Sequence, residues 1–241
     1  MRLSVNVNKV ATLRNARGGD RPSVRWAAET AIAAGCHGIT VHPRPDERHV
    51  RRSDVLELAG WLPVELNIEG YPSEEWIRLV ERARPAQATL VPDPPEVLTS
   101  NAGWRFGEVD RLWLVSVVAR LRAAGCRVSL FVDPVQREVE GAASVGADRV
   151  ELYTEAYARA FPTPRCEAVF ARYRKAAERA TKIGLGVNAG HDLDLDNLPF
   201  LAGNLPGLAE VSIGHALISD ALERGLTPTV RAYLAALEAG G

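Results

Sequence analysis

The sequence predicts an α/β fold, a (β/α)8 TIM barrel with extra helices, occupying residues 1–241 as one domain. Three observations carry the prediction. Short β-branched runs alternate with longer amphipathic segments along the chain, the rhythm of a parallel sheet covered by helices. A junction of small residues, a glycine and a strand recurs at Ala33-Ala34-Gly35-Cys36, at Ala123-Ala124-Gly125-Cys126 and at Ser144-Val145-Gly146-Ala147. Each reads as a helix stopped by a glycine cap just before a strand. Polar residues collect where the strand runs end, the edge at which such barrels hold their chemistry. No GxGxxG follows the first run, which disfavours a dinucleotide-binding sheet.

In order, strands are expected at Leu3–Val7, Gly38–His42, Val64–Glu69, Gln87–Val91, Arg127–Val132, Arg149–Leu152, Gly184–Asn188 and Glu210–Ile213. Most are expected to be apolar on both faces, as buried parallel strands are. Ser23 is placed to cap a helix over Val24–Ala34, and Ser73 a helix opening on Glu74 and Glu75, since a hydroxyl and first-turn acids satisfy a helix N-terminus. Pro134 suits the first turn of a helix reaching about Val145. Pro92-Asp93-Pro94-Pro95 and the polar run Thr99–Gly107 form one longer loop after the fourth strand, of a length that can serve as a lid.

Composition narrows the function. A net charge of −1 and 46% hydrophobic residues suit a folded domain with a sizeable core, with no basic face for nucleic acid or an anionic membrane. No run approaches the roughly 20 apolar residues of a membrane helix. No signal-type segment follows Met1, so a cytoplasmic protein is expected. Cys36, Cys126 and Cys166 are odd in number and lack paired spacing, against both a disulfide framework and a zinc site. Cys36 and Cys126 read as small core residues at the far end of the barrel. Lysine-dependent chemistry has three candidates only, Lys9, Lys175 and Lys182.

The strand ends carry the candidate site. The first ends in Asn6-Val7-Asn8-Lys9, the second in His42 with Arg44 and His49 beyond, and the third in Asn67-Ile68-Glu69. The fifth ends in Asp133, the sixth contains Glu151, the seventh runs into Gly190-His191, and the eighth into Gly214-His215. The opposite ends are expected to be less loaded. A lone histidine or glutamate at a strand end is usually a satisfied structural group. His42, Glu69, Glu151 and His191 at one face indicate acid–base chemistry, because burying so many ionisable groups is costly. Asn67 and Asn188 are expected to orient neighbours. Asn188-Ala189-Gly190-His191 and Ser212-Ile213-Gly214-His215 suit a phosphate cradle opening the helix Ala216–Leu222; the plain alternative is that Gly190 and Gly214 permit tight turns. Arg17 either pairs with an anionic ligand or is a solvated arginine.

These residues resemble a known family. Asn6 with Ala11-Thr12-Leu13-Arg14-Asn15-Ala16-Arg17-Gly18, then Gly38-Ile39-Thr40-Val41-His42 with Arg44 and Arg48-His49, is similar to the pyridoxine 5′-phosphate synthase family. So are Asn67-Ile68-Glu69, Leu90-Val91-Pro92, Val128-Ser129-Leu130-Phe131, Val187-Asn188-Ala189-Gly190-His191 and Ile213-Gly214-His215-Ala216. The resemblance implies an octameric barrel enzyme without metal or cofactor. It would join 1-deoxy-D-xylulose 5-phosphate to 3-amino-2-oxopropyl phosphate, giving pyridoxine 5′-phosphate, phosphate and water. It implies His42 and Glu69 as proton acceptors, His191 as proton donor and Glu151 as an aid to proton transfer. Asn6, Arg17, Gly214 and His215 would hold the amino-ketone phosphate, and Arg44, His49 and Thr99 the deoxyxylulose phosphate. The chain departs from the family pattern at Asn8-Lys9, usually Asp-His and in contact with the sugar phosphate, and at Asp192, usually a glycine touching phosphate. The alternatives are a relative that joins an amino-ketone to another carbonyl compound, and a non-catalytic ligand-binding relative.

Overall fold

A computed structural model of the protein describes residues 1–93 and 102–240. Its eight strands are β1 (Arg2–Asn6), β2 (Gly38–Val41), β3 (Glu65–Gly70), β4 (Gln87–Leu90), β5 (Arg127–Val132), β6 (Arg149–Tyr153), β7 (Gly186–Gly190) and β8 (Leu208–Ile213). Each runs parallel to the next, and β1 pairs with β8 to close the barrel. Every predicted strand is present, with bounds displaced by at most two residues. The largest displacement is at β7. Gly184, predicted as its first residue, has φ +84 and ends the preceding helix, as Gly35, Gly125 and Gly146 do with φ +107, +92 and +86. A left-handed residue of this kind stops a helix at little cost only when it is glycine.

Around the barrel run α1 (Asn8–Asn15), α2 (Val24–Ala33), α3 (Arg52–Trp61), α4 (Glu74–Ala83), α5 (Arg111–Ala123) and α6 (Gln136–Ser144). They are followed by α7 (Glu155–Ala160), α8 (Cys166–Lys182), α9 (Leu198–Asn204), α10 (His215–Arg224) and α11 (Leu226–Gly240). The expected extra helices are there: α1 precedes α2 in the first crossover, α7 precedes α8, and α11 follows α10. Ser23 and Ser73 cap α2 and α4, each hydroxyl accepting a bond from a backbone N–H three residues on, at Trp26 and Trp76. Pro134 falls outside its predicted helix, because Val135 is the cap of α6 and the backbone N–H of Val135 turns back to the Asp133 carbonyl. No helix among the described residues is long and apolar enough to cross a membrane.

The strands are not apolar on both faces. Leu3 and Val5, Ile39 and Val41, Leu66 and Ile68, Val128 and Leu130, Val211 and Ile213 are buried in one hydrophobic cluster with the helices. The alternate residues are polar and meet one another inside the barrel. Ser4 Oγ and Thr40 Oγ1 lie 2.6 Å apart, and Thr89 Oγ1 donates to Asn67 Oδ1 at 2.9 Å. At the N-terminal end, Arg2 and Arg127 both donate to Glu65, and Gln87 Nε2 on β4 reaches Glu210 Oε1 on β8 at 3.2 Å. Asn188 sits in this layer, accepting from Arg149 Nη1 at 3.0 Å. The expectation that this end is lightly loaded is therefore wrong. Most of these polar groups find a partner across one strand spacing or across the barrel, which makes the polar interior tolerable; Ser129 Oγ has none among the described residues. Cys36 and Cys126 are buried as expected, with burial raising each thiol to about 11.

Candidate active site

The two-residue period of the strands decides what faces the open end of the barrel. Asn6, His42, Glu69, Phe131, Tyr153 and Gly214 continue the inward rows of β1, β2, β3, β5, β6 and β8. Above them lies a cavity of about 720 Å³, within the size range of small-molecule sites. His42, Glu69, Glu151 and His191 all line it. So do Asn6, Asn8, Lys9, Arg44, His49, Asp192, Gly214 and His215. Arg17 is not brought there; it is exposed on the turn after α1 and absent from the cavity wall. Thr99 lies outside the described residues. Asp133 is also elsewhere, with Gly103 N–H directed at its Oδ1 from 3.4 Å. Part of the predicted lid loop falls in the undescribed segment; residues 102–107 are tied down, Trp104 N–H donating to Phe131 O and its indole to Leu90 O, each at 2.9 Å.

The ionisable groups of the cavity are held in unlike environments. Glu69 is buried, and burial raises its carboxyl to about 7 against the opposing pull of His191 and of Ser212. Asn6 Nδ2 lies 3.5 Å from Glu69 Oε2 and Ser212 Oγ 3.4 Å from Oε1, both at the long limit of hydrogen bonding. Glu151 is also raised, by burial and then by the charges of Glu69 and Glu210, and its Oε2 has no hydrogen-bond partner among the described residues. His42 is held well below its ordinary value, by burial and then by Arg44, His49 and Arg48. Its Nδ1 is 4.0 Å from Glu69 Oε2; burial pushes both groups toward neutrality, so the contact is not an ion pair. His49 falls to about 4 through burial, then Arg44 and Lys9. His191 goes the other way: burial lowers it, but the hydrogen bond and charge of Asp192 raise it more. The cavity thus offers an imidazole pushed toward its neutral form, a carboxyl raised to about 7, a second carboxyl pushed toward its protonated form and an imidazole pushed toward its charged form, a set able to take and give protons in turn.

Positioning explains several residue choices. Asn8 Oδ1 accepts from the His42 backbone N–H at 2.9 Å, clipping the end of β2 to the start of α1. Asn6 Oδ1 accepts from Asn8 N–H at 3.0 Å. Gly190 is not a turn residue: it ends β7, and a Cβ there would lie 2.2 Å from Glu151 Oε1. Gly214 precedes α10 and faces Asn6, whose Cβ would be 3.0 Å from an added methyl. Arg44 is buried beside Asp93, with Nη2 3.8 Å from Oδ2.

Sequence reasoning missed part of the wall. Val91, Phe131 and Tyr153 form its apolar side, the two rings 5.1 Å apart, and Glu155, Arg48 and Thr12 also line the cavity, as does Ser212 of the stretch expected to cradle phosphate. The signal was available for the strand residues, since Phe131, Tyr153 and Ser212 stand two positions beyond the polar residues Ser129, Glu151 and Glu210. Among the described residues no group of three or more His, Cys, Asp or Glu side chains is arranged to hold a metal ion.

A family model described as pyridoxal phosphate biosynthesis protein PdxJ matches residues 3–239. The chain is 53% identical, over 98% of its length and 99% of the relative's, to pyridoxine 5′-phosphate synthase of Cytophaga hutchinsonii. It is 56% identical to the protein of the same name in Porphyromonas gingivalis, over 96% and 97% of the two chains. Among solved structures it resembles a thiamine phosphate pyrophosphorylase from Pyrococcus furiosus, with a TM-score of 0.63 at 12% identity over 98% of this chain and 95% of that one. A 4-hydroxy-2-oxoglutarate aldolase matches with a TM-score of 0.63 at 19% identity, over 98% and 93%. At such identities the two structures speak to the barrel alone.

Proposed function

The chain belongs to the PdxJ family of pyridoxal phosphate biosynthesis proteins, and from that membership we propose that it is a pyridoxine 5′-phosphate synthase. It condenses 1-deoxy-D-xylulose 5-phosphate with 3-amino-2-oxopropyl phosphate to pyridoxine 5′-phosphate, inorganic phosphate and water. The observation that supports the proposal most is the gathering of His42, Glu69, Glu151 and His191 around one cavity at the C-terminal ends of the strands.

Closing a pyridine ring from two ketones requires an imine, a carbon–carbon bond, loss of phosphate and water, and repeated proton transfers. The substrate brings the amine, so no lysine nucleophile is needed. His42, kept neutral by burial and flanking arginines, takes a proton, as Glu69 does when ionised. His191 gives one, and Glu151, pushed toward its protonated form by burial and by Glu69, passes protons between steps. Asn6, Gly214 and His215 hold the amino-ketone phosphate, where the N-terminus of α10 directs its backbone N–H groups outward. Arg44 and His49 hold the sugar phosphate, the guanidinium supplying a fixed charge. Family membership also supports a cytoplasmic homo-oligomer, an octamer, acting on small phosphorylated substrates.

The test is direct. Purified protein given both substrates should form a product with the absorbance and mass of pyridoxine 5′-phosphate. His42→Ala and Glu69→Ala should each slow it by about 10²-fold or more, the usual contribution of a general acid or base. Calorimetric binding of the amino-ketone phosphate without product would overturn the proposal and favour a different carbonyl partner.

A further inference from the structure

Asp192 lines the cavity next to His191, where a carboxylate facing a bound phosphate would repel it. Its side chain instead meets an imidazole, with Asp192 Oδ2 lying 2.7 Å from His191 Nδ1. We infer that Asp192 is a positioning residue for His191, anchoring Nδ1 so that Nε2 is the ring nitrogen left to the substrate. This rests on the reading of His191 as the proton donor.

Independent features fix the pair. His191 has φ +97, a backbone state that costs a non-glycine residue energy and persists where surroundings enforce it. The enforcement is visible. Thr154 Oγ1 donates to Gly190 O at 2.6 Å on one side, and Asn197 Nδ2 donates to Asp192 O at 3.2 Å on the other. Asn197 is itself buried and accepts from Asp194 N–H at 3.1 Å. The Tyr153 ring meets the imidazole edge-on, 5.1 Å away at 87°, and Tyr153 Oη donates to Glu155 Oε2 at 2.9 Å. The imidazole thus has a carboxylate on Nδ1 and an aromatic wall beside it. A carboxylate there fixes the tautomer and favours the charged ring. The ionisable groups facing His191 are Asp192 from its own loop, Glu69 from β3, Tyr153 from β6 and Glu155 from α7. Asp192 acts on it most strongly, with Glu69 and Glu155 adding to the same direction.

The sign follows. A donor must start protonated, so the alkaline limb of kcat reports its pKa. Removing the Asp192 charge lowers that pKa and brings the limb to lower pH. Asp192→Asn removes the charge and retains an acceptor for Nδ1–H; Asp192→Ala removes both. In protein labelled with ¹⁵N-histidine, His191 signals are assigned by their loss in His191→Gln. The His191 midpoint should fall by about one pH unit in Asp192→Asn, the lower end of the effect of an opposite charge at contact, and the alkaline limb of kcat should fall with it. Asp192→Ala should in addition lose the single Nδ1-protonated tautomer in the neutral form. Unchanged His191 midpoints in both variants would overturn the inference. A shifted midpoint with an unmoved kcat limb would overturn the catalytic part. If the parent forms no pyridoxine 5′-phosphate, the function falls, while the His191 titration still decides whether Asp192 governs the ring.

Discussion

Replacing Gly190 by alanine tests the link between the floor of the cavity and its chemistry. A methyl at this position would lie 2.2 Å from Glu151 Oε1 and 3.2 Å from the Ser212 carbonyl oxygen, where real Cβ contacts are essentially never under 3.0 Å. The β7 backbone is held between β6 and β8, so the carboxyl of Glu151 must yield, by about 1 Å. A misplacement of that size at a reacting group costs roughly 10²-fold in rate, and overpacking a buried site costs about 1–3 kcal/mol of stability. For a chain of this length that lowers Tm by about 2–4 °C per kcal/mol. Gly190→Ala should therefore lose about 10²-fold in kcat while remaining folded. Urea titrations in two backgrounds isolate the cause. In Glu151→Ala protein the same glycine change should cost less, because the 2.2 Å collision is gone and only the Ser212 carbonyl at 3.2 Å remains. Equal costs in the two backgrounds, or a parent-like kcat in Gly190→Ala, would refute the argument.

Two further outcomes are expected. Glu69 is raised from 4.5 to about 7 by burial, so the folded protein holds its proton more tightly than the unfolded chain. Its contribution to stability is full below pH 4.5 and is lost as pH rises to about 7. Between pH 5 and 7.5 the unfolding free energy of Glu69→Gln should fall less than that of the parent, and parallel curves would remove Glu69 as the titrating group. Arg14 is buried and donates to both oxygens of Asp54, at 2.6 and 2.9 Å, and to His49 O at 3.2 Å. Arg14→Ala strands the Asp54 carboxylate and should cost about 3–5 kcal/mol in urea unfolding; a loss under about 1 kcal/mol would show that the pair does not hold the loop carrying His49.

The eight strands, the glycine stops at Gly35, Gly125 and Gly146, and the caps at Ser23 and Ser73 were legible because each is a local preference of a few residues. The gathering of His42, Glu69, Glu151 and His191 at one face was legible for a related reason. Parallel strands deliver their C-terminal ends to one face, so ionisable residues at those ends must meet there. Other things were written in the sequence but misjudged. Ser4, Asn67, Gln87, Arg127, Arg149 and Glu210 alternate with apolar residues, the pattern of strands with helices on one face and a polar interior on the other. A barrel interior accepts such residues only when partners from other strands lie at the same height, which no single strand reveals.

By itself the sequence determined the barrel, its strand boundaries within two residues, its family and the four groups expected to move protons. Only the tertiary structure decided how those groups are tuned. Whether Glu69 keeps a proton near pH 7 depends on burial and on His191, and whether Asp192 meets a phosphate or an imidazole depends on a left-handed turn at His191. Gly190 is needed for the Glu151 carboxyl rather than for a turn. Strand and helix signals act over a few residues, whereas a pKa, a collision or a tautomer is set by atoms brought together from distant parts of the chain.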